Sequence, residues 1–223
     1  MEPHLARELE ALRGTLRAMS ELVDAQLDTA YRALFEGDAG LAAGVMAREK
    51  EVNAFDTSID AEAQRLFAIA QPVAVDLRLL MSVLTVNHQL ERIGDIAVNI
   101  AERAAVLAPH RELLRAARLG EMAEIARIMM RDALESFLRA DPALATRVLE
   151  SDDVVDRLDR NAFRLLVAEM RRSGELIEPA SHVMILSRHL ERLADHATNI
   201  AEVTVFLVNA RVVKHQAGAL GAH

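Results

Sequence analysis

The 223-residue chain has no cysteine and no tryptophan, and its aromatic side chains amount to six phenylalanines and one tyrosine. Without thiols there is neither a disulfide framework nor a thiolate metal site, and the lack fits a reducing compartment. Long apolar runs are missing too. A stretch such as Leu79 to Val86 is interrupted by Ser82 and Thr85 and falls far short of a bilayer span. The opening MEPHLARELE is charged and lacks the apolar centre of a secretory signal, so a cytoplasmic location is expected. Positive charge is in deficit, with 26 Lys and Arg against 34 Asp and Glu and a net charge of -8, which argues against non-specific nucleic-acid binding. No Gly-rich phosphate loop, no Ser-centred elbow and no nucleophile with a base at catalytic spacing is found, so an enzyme is not expected.

What is present favours helices. Hydrophobic residues make up 52% of the chain, and Ala and Leu abound with Glu and Arg, the balance of long helices rather than sheets. Pro3, the Gly37-Asp38-Ala39-Gly40 cluster, Pro72, Pro109, Pro142 and Pro179 divide the chain into six segments, and proline is tolerated in the first turn of a helix but not in its interior. Asp141-Pro142 reads as an N-cap followed by proline at the first helical position, and Asp38 caps the second segment in the same manner. Leu5, Leu9, Leu12, Leu16, Met19, Val23, Leu27, Ala30 and Leu34 recur at steps of three and four, an amphipathic helix. A second helix follows from about Leu41 to Ala70, with Val45, Val52, Phe55, Ile59, Leu66 and Ile69 inward, and a third from Val73 to about Leu107. The order returns in segments of about Leu113 to Arg139, Ala143 to Arg172 and Pro179 to Val213. An all-α fold of two tandem, pseudo-symmetric three-helix bundles is predicted, residues 1–108 and 109–223, joined near Ala108 to Glu112. The tail from His215 to His223 is expected to fray.

The duplication is written in the residues. LERIGDIAVNIAE, Leu90 to Glu102, returns as LERLADHATNIAE, Leu190 to Glu202, with the same residue at most positions. At about 100° per residue, Asp95, Asn99 and Glu102 fall within about 80° of Glu91, so one face carries an acidic stripe in each copy. Like charges one turn apart destabilise a helix, which calls for something positive nearby. The second helix of each unit offers Glu49 with Asn53 and Asp152 with Asp156, again one turn apart. If the helices turn back near Gln71-Pro72 and near Leu176, Asn53 stands level with Glu91, Glu49 with Asp95, and Asp156 with Asp195. Oxygen ligands then converge from two facing helices, as in carboxylate-bridged bundle sites. Glu91, Asp95, Glu191, Asp195, Asp152, Asp156, Glu49 and Asn53 are the candidate metal ligands. Gly94 and Ala194 leave room beside them for a hydrated ion. His88 lies near the stripe as a possible nitrogen ligand, with Arg188 in the corresponding place, whereas His189 and His196 point away toward another helix or a partner. An oxygen-rich set suits a divalent or trivalent ion: magnesium, calcium, manganese, iron or zinc.

These motifs, with AQPVAVDLRLL at Ala70 to Leu80 and a glycine-aspartate turn before the second helix, resemble the PhoU family of phosphate-uptake regulators over about Leu5 to Val213. The resemblance implies metal clusters bound through paired E/D-x-x-x-D motifs, matched by Glu91 with Asp95, Glu191 with Asp195, and Asp152 with Asp156. Asn53 after Glu49 departs from the pattern and removes one negative charge. The resemblance also implies regulation: a cytoplasmic protein, often a homodimer, that links the ATPase of a phosphate ABC transporter to a PhoR-like sensor histidine kinase and keeps the phosphate-starvation response off. Membrane association would come only through those partners. Two other readings are a carboxylate-bridged metalloenzyme, which lacks the usual Glu-x-x-His because Gly94 and Ala194 stand three after the glutamates, and a metal-free helical adaptor.

Overall fold

The computed structural model describes residues 3–70 and 75–209. Six long helices carry the architecture: α1 (Pro3–Glu36), α2 (Ala39–Ala70), α3 (Val75–Ala101), α6 (Leu119–Arg139), α7 (Pro142–Arg172) and α8 (Ile177–Asn209). Helices α1 to α3 pack on one another, and α6 to α8 do the same, giving the two three-helix bundles the pattern predicts. The Pro72 break and the turn of the first hairpin, like the C-terminal tail, lie outside the described residues.

The expected caps form. The Asp38 carboxylate accepts from the Gly40 N–H at 2.9 Å. Asp141 accepts from the N–H groups of Ala143 and Leu144, with Pro142 at the first helical position, where the N–H it lacks would have had no partner. Gly37 holds φ +70°, a backbone conformation that requires glycine, and the Arg111 guanidinium lies against it, where the end of a flexible side chain could move aside.

The joint between the bundles is longer than the five residues expected. It comprises α4 (Ala104–Leu107), a 3₁₀ turn (Ala108–His110) and α5 (Arg111–Ala116). Pro109 confines the chain to a short turn, and Arg118 at φ 56° stops α5 before α6 begins, six residues later than the expected start.

All nine apolar positions singled out in α1 are buried, as are Leu90, Ile93, Ala97 and Ile100 with their counterparts Leu190, Leu193, Ala197 and Ile200. Ile69 departs, at 59% exposed, because Leu66, Phe67 and Ala70 take the inner face of the last turn of α2. The buried core runs without interruption through both bundles. Where they meet, α3 packs on α8 and α1 on α6. Arg127 and Arg131 of α6 grip Asp24 of α1, with Nε of each 2.9 Å from Oδ1, and Arg127 reaches Asp28 at 2.6 Å. Burial works against the Asp24 carboxylate, but Arg131 and Arg127 outweigh it and lower its pKa. Among the described residues no helix is long and apolar enough to cross a membrane.

Candidate metal centre

In the second bundle α7 and α8 bring Asp152, Asp156, Glu191 and Asp195 into one electrostatic neighbourhood. Burial, then the nearby Asp195, raise the Glu191 carboxyl to about 7. Burial and the charges of Asp195, Asp156 and Asp153 raise Asp152 to about 6, and burial with Asp156 raises Asp195. Each shift means that a carboxylate loses water and faces like charge, which a cation would relieve. Arg188, where the first bundle has His88, meets part of that demand at 3.0 Å from Asp159 and 3.2 Å from Glu191.

The first bundle is built differently from the expectation. Burial raises the Glu91 carboxyl first, with Asp95 and Asp56 adding like charge, while Arg92 and His88 act in the opposite direction. The facing acid that matters there is Asp56, one turn beyond Asn53. Asn87 of α3 donates to Oδ1 of both Asp56 (2.8 Å) and Asp60 (3.1 Å). Glu49 is half-buried and Asn53 exposed, and no described interaction joins either to Glu91 or Asp95. Asp56, Asp60 and Asp159 are not among the ligands expected from the sequence. A signal was available: Asp56 and Asp60 form a D-x-x-x-D pair of their own, and the offset that carries Glu49 to Asp152 and Asn53 to Asp156 also carries Asp56 to Asp159.

Gly94 and Ala194 do not make room for an ion. Both are buried, and a Cβ on Gly94 would stand 3.2 Å from Val52 and 3.3 Å from Gln26. The small residues instead let helices approach closely. Asn99 bonds back to the Asp95 carbonyl within α3, while Asn199 reaches Gln89 of the other bundle at 3.3 Å. His196 Nδ1 meets the same Gln89 oxygen at 2.7 Å, so it joins the bundles, as its direction on the helix predicts. Burial is the main cause that lowers His189 and His196 to about 4, with cationic neighbours adding to it.

The donor chemistry fits a hard cation. Glu91 Oε2 and Glu191 Oε2 are buried without a hydrogen-bond partner, the same atom in both copies of the motif, although Arg92 Nε stands 3.5 Å from Glu91 Oε2 as an ion pair, and a buried carboxylate oxygen without a hydrogen bond is costly. As the side chains stand, no group of three or more His, Asp or Glu among the described residues is placed to hold an ion, so ligation needs rotation of these half-exposed side chains.

The duplicated architecture is matched by known proteins. A family model described as the PhoU domain matches residues 16–104 and again 119–204, one copy for each bundle. The chain belongs to the PhoU family. It is 40% identical over 209 residues to a protein of Pseudomonas putida named phosphate-specific transport system accessory protein PhoU homolog, covering 93% of this chain and 82% of that one. A protein of the same name from Aquifex aeolicus is 36% identical, covering 95% and 96%. The crystal structure of PhoU from Pseudomonas aeruginosa superposes with a TM-score of 0.86 at 36% identity, over 92% of this chain and 99% of that one. That of the phosphate transport system regulatory protein PhoU from Streptococcus pneumoniae gives 0.85 at 25% identity, over 94% and 99%. The family break between residues 104 and 119 coincides with the short turns of the joint. These relatives are named as accessory or regulatory proteins of transport, not as enzymes.

Proposed function

We propose that this PhoU-family chain is a metal-binding regulator of phosphate uptake, an adaptor between the ATPase of a phosphate ABC transporter and a sensor histidine kinase that keeps the starvation response off when phosphate is plentiful. Relatives of nearly the same length, named for the phosphate-specific transport system, support the phosphate role. The observation that supports the metal half is the pair of buried oxygens without a hydrogen bond, Glu91 Oε2 and Glu191 Oε2, at the same place in two copies of one motif. Asp152, Asp156, Glu191 and Asp195 would hold the ion of the second bundle, and Glu91 and Asp95 with Asp56 that of the first. A bound cation would supply positive charge to the acidic face and free coordination positions for an anionic ligand or a partner's carboxylate. The protein's own residues hold the carboxylates level on facing helices and keep one side of each cluster dry. The cytoplasmic location, the homodimer and a purely partner-mediated membrane association belong to the same proposal.

The test is a reporter of phosphate-responsive transcription in a host lacking the gene. Wild type restores repression at high phosphate, and Glu91→Gln, Asp95→Asn, Glu191→Gln and Asp195→Asn combined fail to restore it at equal protein level. Normal repression by a variant shown to bind no metal contradicts the metal half. A second reading, a metal-free adaptor, is favoured by the open spacing of the acids; it predicts a melting temperature indifferent to chelator.

A further inference from the structure

Between α7 and α8, beside the second acid cluster, lies a surface groove of about 560 Å³. Its apolar part is Phe163, Met184 and Ile185, and its polar part is Arg160, Arg164 and Arg188 with Ser187 and Asp159, the last already engaged by Ser187 and Arg188. Phe163 is 56% exposed and Ile185 41%. An exposed phenylalanine ringed by guanidinium groups is unusual on a chain of net charge -8.

In the first bundle the corresponding positions carry other residue types. The offset that superimposes α2 on α7 puts Asp60 at the place of Phe163 and Ala61 at that of Arg164, and on α3 Thr85 stands where α8 has Ile185. The acidic cluster is common to both copies, so the groove is a feature added to one of them. Arg160 is paired with Asp156 and Arg188 with Asp159 and Glu191. Arg164 has no ion-pair partner among the described residues. Along α7, Arg157, Arg160, Arg164 and Arg171 fall within an arc of about 60°, a basic stripe of roughly 21 Å. A stripe of that length flanking an apolar trough fits a rod better than a compact anion.

We propose that this groove is a docking site for an amphipathic helix of a partner protein, whose apolar face seats on Phe163, Met184 and Ile185 and whose flanking carboxylates pair with Arg164 and the neighbouring arginines. Laying an amphipathic helix into a trough between two helices is a recurring mode of recognition, and the basic rim selects acidic flanks. An anionic bilayer has the right sign but the wrong shape, since a trough between two helices suits a rod better than a flat surface. The inference deepens the adaptor reading by naming a surface and a partner chemistry. The assay below is blind to metal and phosphate, so its failure is distinguishable from a failure of that reading.

The probe is a fluorescent, helix-stapled peptide with leucine at i, i+3, i+4 and i+7 and glutamate on both flanks, titrated against the full chain in chelator by anisotropy. The expected result is saturable binding in the micromolar range that weakens with salt. Phe163→Ala and Arg164→Glu should each weaken it about tenfold, with circular dichroism melts matching wild type. Arg147→Glu, exposed on the same helix outside the groove, should leave it within about twofold. Equal binding of a peptide with lysine flanks, or binding indifferent to Phe163 and Arg164, overturns the proposal. So does absence of binding. Flotation with phosphatidylglycerol vesicles that depends on Arg164 while the peptide fails to bind assigns the surface to membrane, and self-association lost in Phe163→Ala assigns it to a second copy; either result also overturns it.

Discussion

Ser187 of α8 donates its hydroxyl to Oδ1 of Asp159 on α7 across 2.7 Å, and the equivalent residue of the first bundle, Asn87, donates to Asp56 at 2.8 Å. Each bond ties the second and third helices of its bundle together one turn before the motif glutamate. The acid clusters thereby sit on a braced hairpin rather than on two sliding rods. Ser187→Ala should lower stability by about 1 kcal/mol, and Asn87→Ala by more because Asn87 also serves Asp60. Thermal melts would show losses of about 2–4 °C per kcal/mol. Unchanged melts for both variants would remove the brace from the account.

Gly94 shows a second constraint. Alanine there gains up to about 1 kcal/mol of helix propensity, but its Cβ would press on Val52 and on Gln26, which is buried and held by its bond to the Val45 carbonyl at 3.1 Å. Moving Gln26 aside would strain that bond. Gly94→Ala is therefore expected to destabilise by about 1 kcal/mol net, and Ala194→Gly, which opens a fully buried site, by a similar amount. A chemical-denaturation midpoint that rises for Gly94→Ala would show that the α2–α3 contact is looser than drawn.

Stability in chelator should carry the mark of Glu191. Its carboxyl, raised by burial from 4.5 to about 7, holds a proton more tightly when folded than when unfolded, so stability falls as pH rises between those values. Asp152, raised to about 6, acts in the same sense from its ordinary 3.8 upward. His189 and His196, lowered from 6.5 to about 4, act in the opposite sense over that interval, their contribution growing as pH rises. Above pH 6.5 the histidines no longer contribute slope and Glu191 remains. Glu191→Gln should thus melt above wild type at pH 8, by on the order of 2 kcal/mol after allowance for solvent screening, and the gap should close toward pH 4.5. A gap of constant size across that range would place its origin in packing, not ionisation.

The seam between bundles offers a check on their coupling. Asp24 receives both Arg127 and Arg131, and its removal leaves Arg127 with Asp28 alone and takes from Arg131 its partner across the seam. Asp24→Ala should cost about 1–2 kcal/mol, above an isolated surface pair because two bonds to a part-buried carboxylate are lost at once. If the bundles unfold as one unit, calorimetry of this variant shows a single transition at lower temperature; two resolved transitions would show that the continuous core alone does not couple them.

The six long helices, the caps at Asp38 and Asp141, the core stripe of α1 and the grouping of acids in the second bundle were legible from the sequence, because each is fixed by local periodicity or by a residue type with one structural use; the short helices α4 and α5 were not. The first cluster was not fully legible. Matching residues by their distance from a turn assumes straight helices of equal register, and the facing acid proved to be Asp56, about one turn from the level estimate at Asn53. The room attributed to Gly94 was misread for a related reason: a small side chain does not say whether a neighbour or solvent fills the space beside it. The seam is non-local. Nothing near Asp24 in the sequence announces Arg127, and Gln89 gives no sign that it will accept from Asn199 and meet His196.

The most direct test of the duplicated cation sites is calorimetric titration of Mn²⁺ into chelator-stripped, tag-free protein at pH 7.5. The account predicts saturable binding in two sets, with Glu91→Gln/Asp95→Asn abolishing one, Glu191→Gln/Asp195→Asn the other, and the four changes together both. Binding that survives all four substitutions, or no heat of binding for Mn²⁺ and then for Fe²⁺, Zn²⁺ or Mg²⁺ in the same cell, would contradict it.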